Sequence, residues 1–239
     1  MRYILFFSVF AAFLCRAQSP IRFYENSKCG YLKNNGQLLL PPVYDGGSDF
    51  KDGLAIVVKQ NKKAYINEQG AFVTGFDFDD AGLLNDGLCK VFKNGKYGFM
   101  NSKGELVIDF SFSFVDDFNN GLARVQINNL YGFINTSGEL IIPASYSNAN
   151  NFSEGLASVF NGSYWGFINA KSQTIISFQF NKAYTFKNDM CAVEKGTEKY
   201  IINKTGDFIK KEQKSKDEEE KEERKERKKS NHKGGRHEK

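Results

Sequence analysis

One pattern of apolar and polar positions returns every 34 residues along most of the chain. A valine column reads Val57, Val91, Val125, Val159 and Val193, and two places earlier stand the small residues Ala55, Cys89, Ala123, Ala157 and Cys191. The position between them, Ile56, Lys90, Arg124, Ser158 and Ala192, is not held apolar. Apolar residues at period two predict a strand with one buried face. A second column of large side chains, Tyr31, Tyr65, Phe99, Phe133, Phe167 and Ile201, precedes another apolar run such as Leu140 to Ile142. Two further apolar columns, Tyr44, Phe78, Phe112, Tyr146, Phe180 and Phe50, Leu84, Phe118, Phe152, Phe186, lie ahead of the next small-x-Val step. Each unit therefore reads as three short antiparallel strands plus an aromatic-rich connection that packs on its neighbour.

Turn chemistry marks the joints. "NEQG" from Asn67, "NSKG" from Asn101, "NTSG" from Asn135 and "NKTG" from Asn203 place Asn at the first position of a turn and Gly at the fourth. An Asn side chain bonds backbone just ahead of it and Gly adopts positive φ without strain, so a hairpin with a Gly bulge is expected. "NAKS" from Asn169 lacks the Gly and is expected to be the poorest copy. A second punctuation, "KDG" to Gly53, "NDG" to Gly87, "NNG" to Gly121 and "SEG" to Gly155, starts each unit.

An aromatic-Gly step fixes the register. "CGYL", "AYIN", "YGFMN", "YGFIN", "WGFIN" and "KYIIN" put its second residue at 30, 64, 98, 132, 166 and 200, without insertion or deletion. Such regularity is the mark of a stacked array, and although helix-pair repeats share the period, the period-two columns select strands. Six units are expected. "PIRFY" places Ile21 and Phe23 on the small-x-Val positions of the first copy, and the last ends near Ile209.

These elements resemble the tandem WG repeats of bacterial proteins: "GLAxV", "WGFIN", "GELIIP" and the spaced aromatics stand in the family's order, although only Trp165 supplies the Trp itself. The resemblance implies an all-β repeat and, often, an envelope or secreted location, and it implies no reaction. The expected architecture is a set of three-stranded hairpin repeats stacked as an open, twisted solenoid. The alternative is a six-bladed propeller-like ring, whose blades usually need four strands and 40 or more residues. Eroded outer copies, with Cys29 for the aromatic at one end and Asp189 and Lys199-Tyr200 for the Gly and aromatic-Gly at the other, suit an array with ends.

Composition changes the picture mainly at the termini. Residues 1–17 have a basic start at Arg2, an apolar run from Tyr3 to Cys15 and Ala17 before Gln18, the layout of a secretory signal peptide. A retained anchor needs a longer run, and bulky Phe13 and Leu14 weaken a lipoprotein reading at Cys15. Residues 210–239 hold 13 basic and 9 acidic residues with no aliphatic or aromatic side chain, which predicts a solvated, disordered tail. The repeat domain, 18–209, keeps 18 basic and 19 acidic residues, so the basic balance of the chain belongs to its ends and a nucleic-acid surface is not indicated.

Candidate chemistry is sparse. Both histidines, His232 and His237, lie in the tail, and no zinc signature, nucleophile elbow or phosphate loop appears. "FDFDDAG", Phe76 to Gly82, is a weak calcium candidate through Asp77 and Asp79, and no metal or cofactor is expected. Cys89 and Cys191 read as small core residues, and Cys29 as a partly exposed thiol. Sequons at Asn135, Asn151, Asn161 and Asn203 read as by-products of Asn-rich turns. The expected function is a secreted or envelope binding or scaffold module, not an enzyme, that meets a protein or glycan through an aromatic stripe of Tyr97, Tyr131 and Trp165. The competing use of those rings is to fill grooves between units. The alternative function is a glycan-processing enzyme using Asp116 and Asp117 with Asp80 as acid and base.

Overall fold

The computed structural model describes residues 19–211. The signal-peptide reading at 1–17 lies outside the described residues, as does the charged segment beyond Lys211. Lys210 and Lys211 end a strand, Phe208–Lys211, two residues past the boundary drawn from composition. The described residues form strands, turns and bends, with no helix among them.

Six antiparallel sheets follow one another in chain order, one per repeat. Sheet I comprises Ile21–Glu25, Lys28–Leu32 and Leu38–Tyr44. Sheet II comprises Gly46–Gly47, Leu54–Lys59 and Lys62–Asn67. Sheet III has four strands, Asp80–Asn85, Leu88–Lys93, Lys96–Asn101 and Leu106–Phe112. Sheet IV runs Phe114–Val115, Leu122–Ile127, Leu130–Asn135 and Leu140–Tyr146; sheet V runs Asn148–Ala149, Leu156–Phe160, Trp165–Asn169 and Thr174–Phe180. Sheet VI runs Lys182–Ala183, Met190–Lys195, Glu198–Asn203 and Phe208–Lys211. The three strands expected per repeat are present in every sheet but II, which lacks the outer one, and in sheets II to VI part of the aromatic connection adds a further strand, only two residues long in II, IV, V and VI. The chain divides after Phe110 into two compact units.

Turn geometry explains why the strands break where they do. Asp52 and Gly53 both have positive φ, 49° and 86°, and Lys51 and Leu54 exchange backbone hydrogen bonds across them. This is the two-residue hairpin turn whose twist suits the flanking strands. The Asn-x-x-Gly turn forms as its composition predicts: the Gly138 N–H donates to the Asn135 carbonyl at 2.9 Å, and the Asn135 side-chain oxygen accepts from Ser137 and Glu139. "NAKS" makes the same turn, because Ser172 takes the left-handed conformation at φ 61° and donates to the Asn169 carbonyl at 3.0 Å.

The glycine of the aromatic-Gly step has a separate cause. Beside it the outer strand bulges inward: the pairing of sheet IV shifts between Tyr131–Tyr146 and Phe133–Ile142. A side chain at Gly98 would begin 2.6 Å from the Ile108 carbonyl oxygen, and one at Gly166 would begin 2.9 Å from that of Ile176. Where Ala64 takes this place in sheet II, the outer strand is reduced to two single bridges, Lys63 to Phe78 and Ile66 to Phe72.

Packing joins consecutive repeats. In the first unit, Cys29, Tyr31 and Tyr44 of sheet I share a buried cluster with Ala55, Val57 and Ile66 of sheet II, and Leu54, Tyr65 and Phe78 share another with Cys89, Val91 and Met100 of sheet III. In the second, Phe133 and Ile142 of sheet IV meet Phe152, Ala157, Val159 and Ile168 of sheet V, and Leu156, Phe167 and Ile176 meet Phe180, Phe186, Val193 and Ile202 around sheet VI. A strand of this length has too little area of its own, and the neighbour supplies the other wall of the core.

This arrangement corrects one expectation. The position between the small residue and Val is not a solvent face: Ile56 is 8 % and Ser158 1 % exposed, and Lys90, Arg124 and Ala192 are half-buried. The second face of the strand is thus at least partly covered, and in sheets IV and V polar side chains there are held by bonds to the following repeat. Asn150, hydrogen-bonded to Ser158 at 2.8 Å, also donates to the Ala183 carbonyl, and Arg124 donates to the Ala149 carbonyl. Cys29 is likewise not exposed: it is fully buried in the first core, which raises its thiol pKa, because the second repeat closes over it.

Candidate functional site

The aromatic residues singled out from sequence are the first or second residue of the strand that follows the small-x-Val strand. Tyr131 lies opposite Gln126 in sheet IV and Trp165 opposite Phe160 in sheet V, at equivalent register positions of consecutive repeats. Tyr97 has the same place in sheet III, in the first unit, opposite Phe92 with ring centroids 4.4 Å apart. All three rings are half-buried. Trp165 packs on the core shared by sheets V and VI, and Tyr131 on that shared by IV and V. They contribute to the inter-repeat grooves and also keep part of their surface in solvent.

Electrostatics pin the surroundings of Tyr131. The Arg124 guanidinium lies 5.2 Å from the Phe114 ring centroid and 5.3 Å from that of Tyr131, a cation held over two aromatic faces. Asp116 accepts from its Nε at 2.7 Å. A carboxylate so engaged serves as a structural anchor for the arginine. Asp117 is exposed, while Asp80, in the first unit, bonds Lys63 and the Ala81 N–H. Burial alone would raise the Asp80 pKa, but these hydrogen bonds outweigh it and hold the carboxyl below its usual range.

The calcium candidate resolves into ordinary pairing. Asp79 binds Lys62 and caps the Asn94 N–H, and Asp77 lies 3.9 Å from Lys93. Hydrogen bonding to Lys62 and then to Asn94 lowers the Asp79 pKa. Among the described residues no group of three or more His, Cys, Asp or Glu side chains is arranged to hold a metal ion. Cys29, Cys89 and Cys191 are buried and form no disulfide among the described residues.

A second surface was not visible in the sequence. At the start of the outer strands, apolar side chains stand open to solvent at one place in each repeat: Leu140 and Ile141 in sheet IV, Ile175 in sheet V, Phe208 and Ile209 in sheet VI. The first unit repeats this with Leu38, Phe72, Leu106 and Val107. Their periodicity signals a strand, but period two cannot tell a face covered by a neighbour from one left bare on an outer strand. The following turn reaches the inner part of this row, so a side chain on Gly206 would begin 3.0 Å from Ile176. No helix among the described residues is long and apolar enough to cross a membrane.

The WG containing repeat family model matches residues 30–63, 64–97, 97–131, 131–165 and 165–200. The chain belongs to this family of β repeats. No curated protein matches it. Among solved structures it is similar to a eukaryotic initiation factor, with a TM-score of 0.49 and 11% identity over 82% of this chain and 73% of that one. It is also similar to Hsv2 of Kluyvelomyces marxianus, with a TM-score of 0.47 and 10% identity over 83% and 70%. A third likeness is to the extracellular domain of a hybrid two-component system from B. thetaiotaomicron, with a TM-score of 0.40 and 11% identity over 77% and 32%.

Proposed function

We propose that this protein is a non-catalytic binding or scaffold module, secreted or held in the cell envelope, that offers a regular surface to a protein or glycan partner. The observation that carries this reading is the recurrence of apolar side chains left in solvent at one strand position, Ile141, Ile175 and Ile209 being 37%, 44% and 55% exposed in successive sheets. Single exposed apolar residues are ordinary, whereas a repeated row of them is the property of an interaction surface. The half-buried rings of Tyr131 and Trp165 recur with the same interval and provide a second contact of the same kind. Pairing of Asp116 with Arg124 and of Asp80 with Lys63 supports a structural use of the carboxylates that an acid-base mechanism would need.

Pull-down from an envelope fraction tests the reading. The full chain is compared with Tyr131→Ala/Trp165→Ala and with Ile141→Ser/Ile175→Ser, each checked for folding by circular dichroism. A partner captured by the wild type and lost with one pair of changes supports the reading and says which row is used. Identical captures from all three overturn it. Fractionation of the producing cells tests the secreted or envelope location, and recovery of the whole pool with cytoplasmic proteins would end that part.

A further inference from the structure

The strand that carries the small-x-Val step lies at an edge in sheet I. In sheets II to VI its counterparts are flanked on that side by the strand preceding them, whereas beside Ile21–Glu25 no strand stands among the described residues. The flanking segment bonds two carbonyls of each Val strand. In sheet II the Asp45 N–H donates to the Val58 carbonyl at 2.8 Å and the Ser48 N–H to that of Ile56 at 2.9 Å. In sheet V the Ser147 N–H reaches Phe160 at 2.9 Å and the Asn150 N–H reaches Ser158 at 2.8 Å; in sheet VI Asn181 and Tyr184 donate to Glu194 and Ala192. The same register puts the Arg22 and Tyr24 carbonyls at these places in sheet I.

Nothing in the strand blunts this edge. Ile21–Glu25 pairs with Lys28–Leu32 residue for residue, with no bulge and no proline inside it, although bulges, prolines and edge charges are the usual protection. The Arg22 side chain turns to sheet II, where it bonds the Gly47 carbonyl and Asp49. Ile21 is 58% and Tyr24 54% exposed, and Phe23 is half-buried where Val57, Val91, Val125, Val159 and Val193 are buried.

We infer that this edge binds an extended segment of a partner protein, running antiparallel with a small apolar residue opposite Phe23. The other sheets show what such a segment looks like. Opposite the Val column stand Gly47, Ala81, Val115, Ala149 and Ala183, each on an antiparallel neighbour. N–H groups of the partner donate to the Arg22 and Tyr24 carbonyls, and its carbonyls accept from the N–H groups of the same two residues. A second copy has no such strand to spare, because each is bonded within its own sheet. Pairing of Ile21–Glu25 with itself in register would set Phe23 against Phe23, where the chain elsewhere uses Gly, Ala or Val. This inference rests on the protein arm of the proposed function and assigns it a place.

The test is a titration of the full chain, labelled with nitrogen-15, with an acetylated synthetic peptide of the sequence Ser147–Phe152, whose Ser147 and Asn150 amides make these bonds in sheet V. Shifts centred on the amides of Ile21–Glu25 and slowed hydrogen exchange at Arg22 and Tyr24 are expected. The same peptide N-methylated at Ser147 and Asn150 lacks both donors and should bind at least about tenfold more weakly. Tyr24→Pro removes one outward N–H at an edge position that tolerates proline, and should weaken binding by at least about tenfold. Unchanged amide shifts in Lys28–Leu32 check that sheet I of this variant is intact, and Tyr24→Ala, which keeps the N–H, should bind nearly as the wild type does. Undiminished binding of the N-methylated peptide, or shifts elsewhere, overturns the proposal. So does slowed exchange at Arg22 and Tyr24 without peptide: independent of protein concentration it means that the chain covers this edge itself, and rising with concentration that a second copy does. Tyr131→Ala/Trp165→Ala and Ile141→Ser/Ile175→Ser leave the edge as it is and should bind the peptide as the wild type does, so failure of the pull-down and failure of this edge are read separately.

Discussion

The carbonyl oxygen of Ile142 lies 2.6 Å from the point where a side chain on Gly132 would begin. The Ala144 backbone nitrogen is 2.7 Å from the same point, so the obstacle is main chain and cannot swing aside. The family's glycine is therefore explained by the bulge of the neighbouring strand, and the aromatic residue before it by the groove between repeats.

Gly132→Ala should then cost about 1–3 kcal/mol, the range for forcing an added methyl into a filled space. Urea unfolding of the variant checks this. The local signature is loss of amide protection in Leu140–Tyr146, because displacement of that strand is the relief available. A variant as stable as wild type with the strand intact would remove the explanation.

Ser172→Gly should work in the opposite direction. Ser172 holds φ at 61° in a turn where Gly70, Gly104, Gly138 and Gly206 take the equivalent place. Left-handed backbone costs an L-residue about 1–2 kcal/mol, part of which is offset by the greater freedom of glycine in the unfolded chain. A gain of about 0.5–1 kcal/mol is expected, seen as a rise of roughly 2 °C in Tm.

Phe152→Ala probes the shared cores. Phe152 is 8% exposed and meets the ring of Phe133 in the preceding repeat. Truncation should cost about 3–5 kcal/mol. Hydrogen exchange should accelerate in both Leu130–Asn135 and Leu156–Phe160, since the lost ring walls a core belonging to both sheets. Damage confined to one sheet would mean that the repeats stand independently.

The thiols give a pH dependence with a definite sign. Burial pushes the Cys191 thiol up to about 11 from an ordinary 9.0. An unfolded thiol ionises near the ordinary value, so raising the pH favours the unfolded chain. The contribution is fully present below about pH 9 and is lost as the pH rises toward 11. Cys191→Ala, which restores the residue usual in this column, should flatten that decline in urea midpoints measured between pH 8 and 10.5.

The sequence was most informative where local chemistry decides the backbone. Asn67, Asn101, Asn135 and Asn203 announce their turns because side-chain oxygen and positive-φ glycine both act within five residues. Strands such as Gly46–Gly47 and Asn148–Ala149 are too short to leave any periodicity. The burial of Ser158 and Cys29 depends on what the following repeat lays over them, which no window within one repeat contains. Of the candidate contact residues, the aromatic column was plain from spacing and its half-burial was not.

The cores held jointly by sheets I and II, II and III, IV and V, and V and VI also bear on how such a chain changes in length. Copying or excising one whole period brings together two surfaces already matched in shape, whereas an indel of any other size leaves an oily wall facing the wrong residues. Growth by complete copies is thus the mutational route this architecture tolerates best.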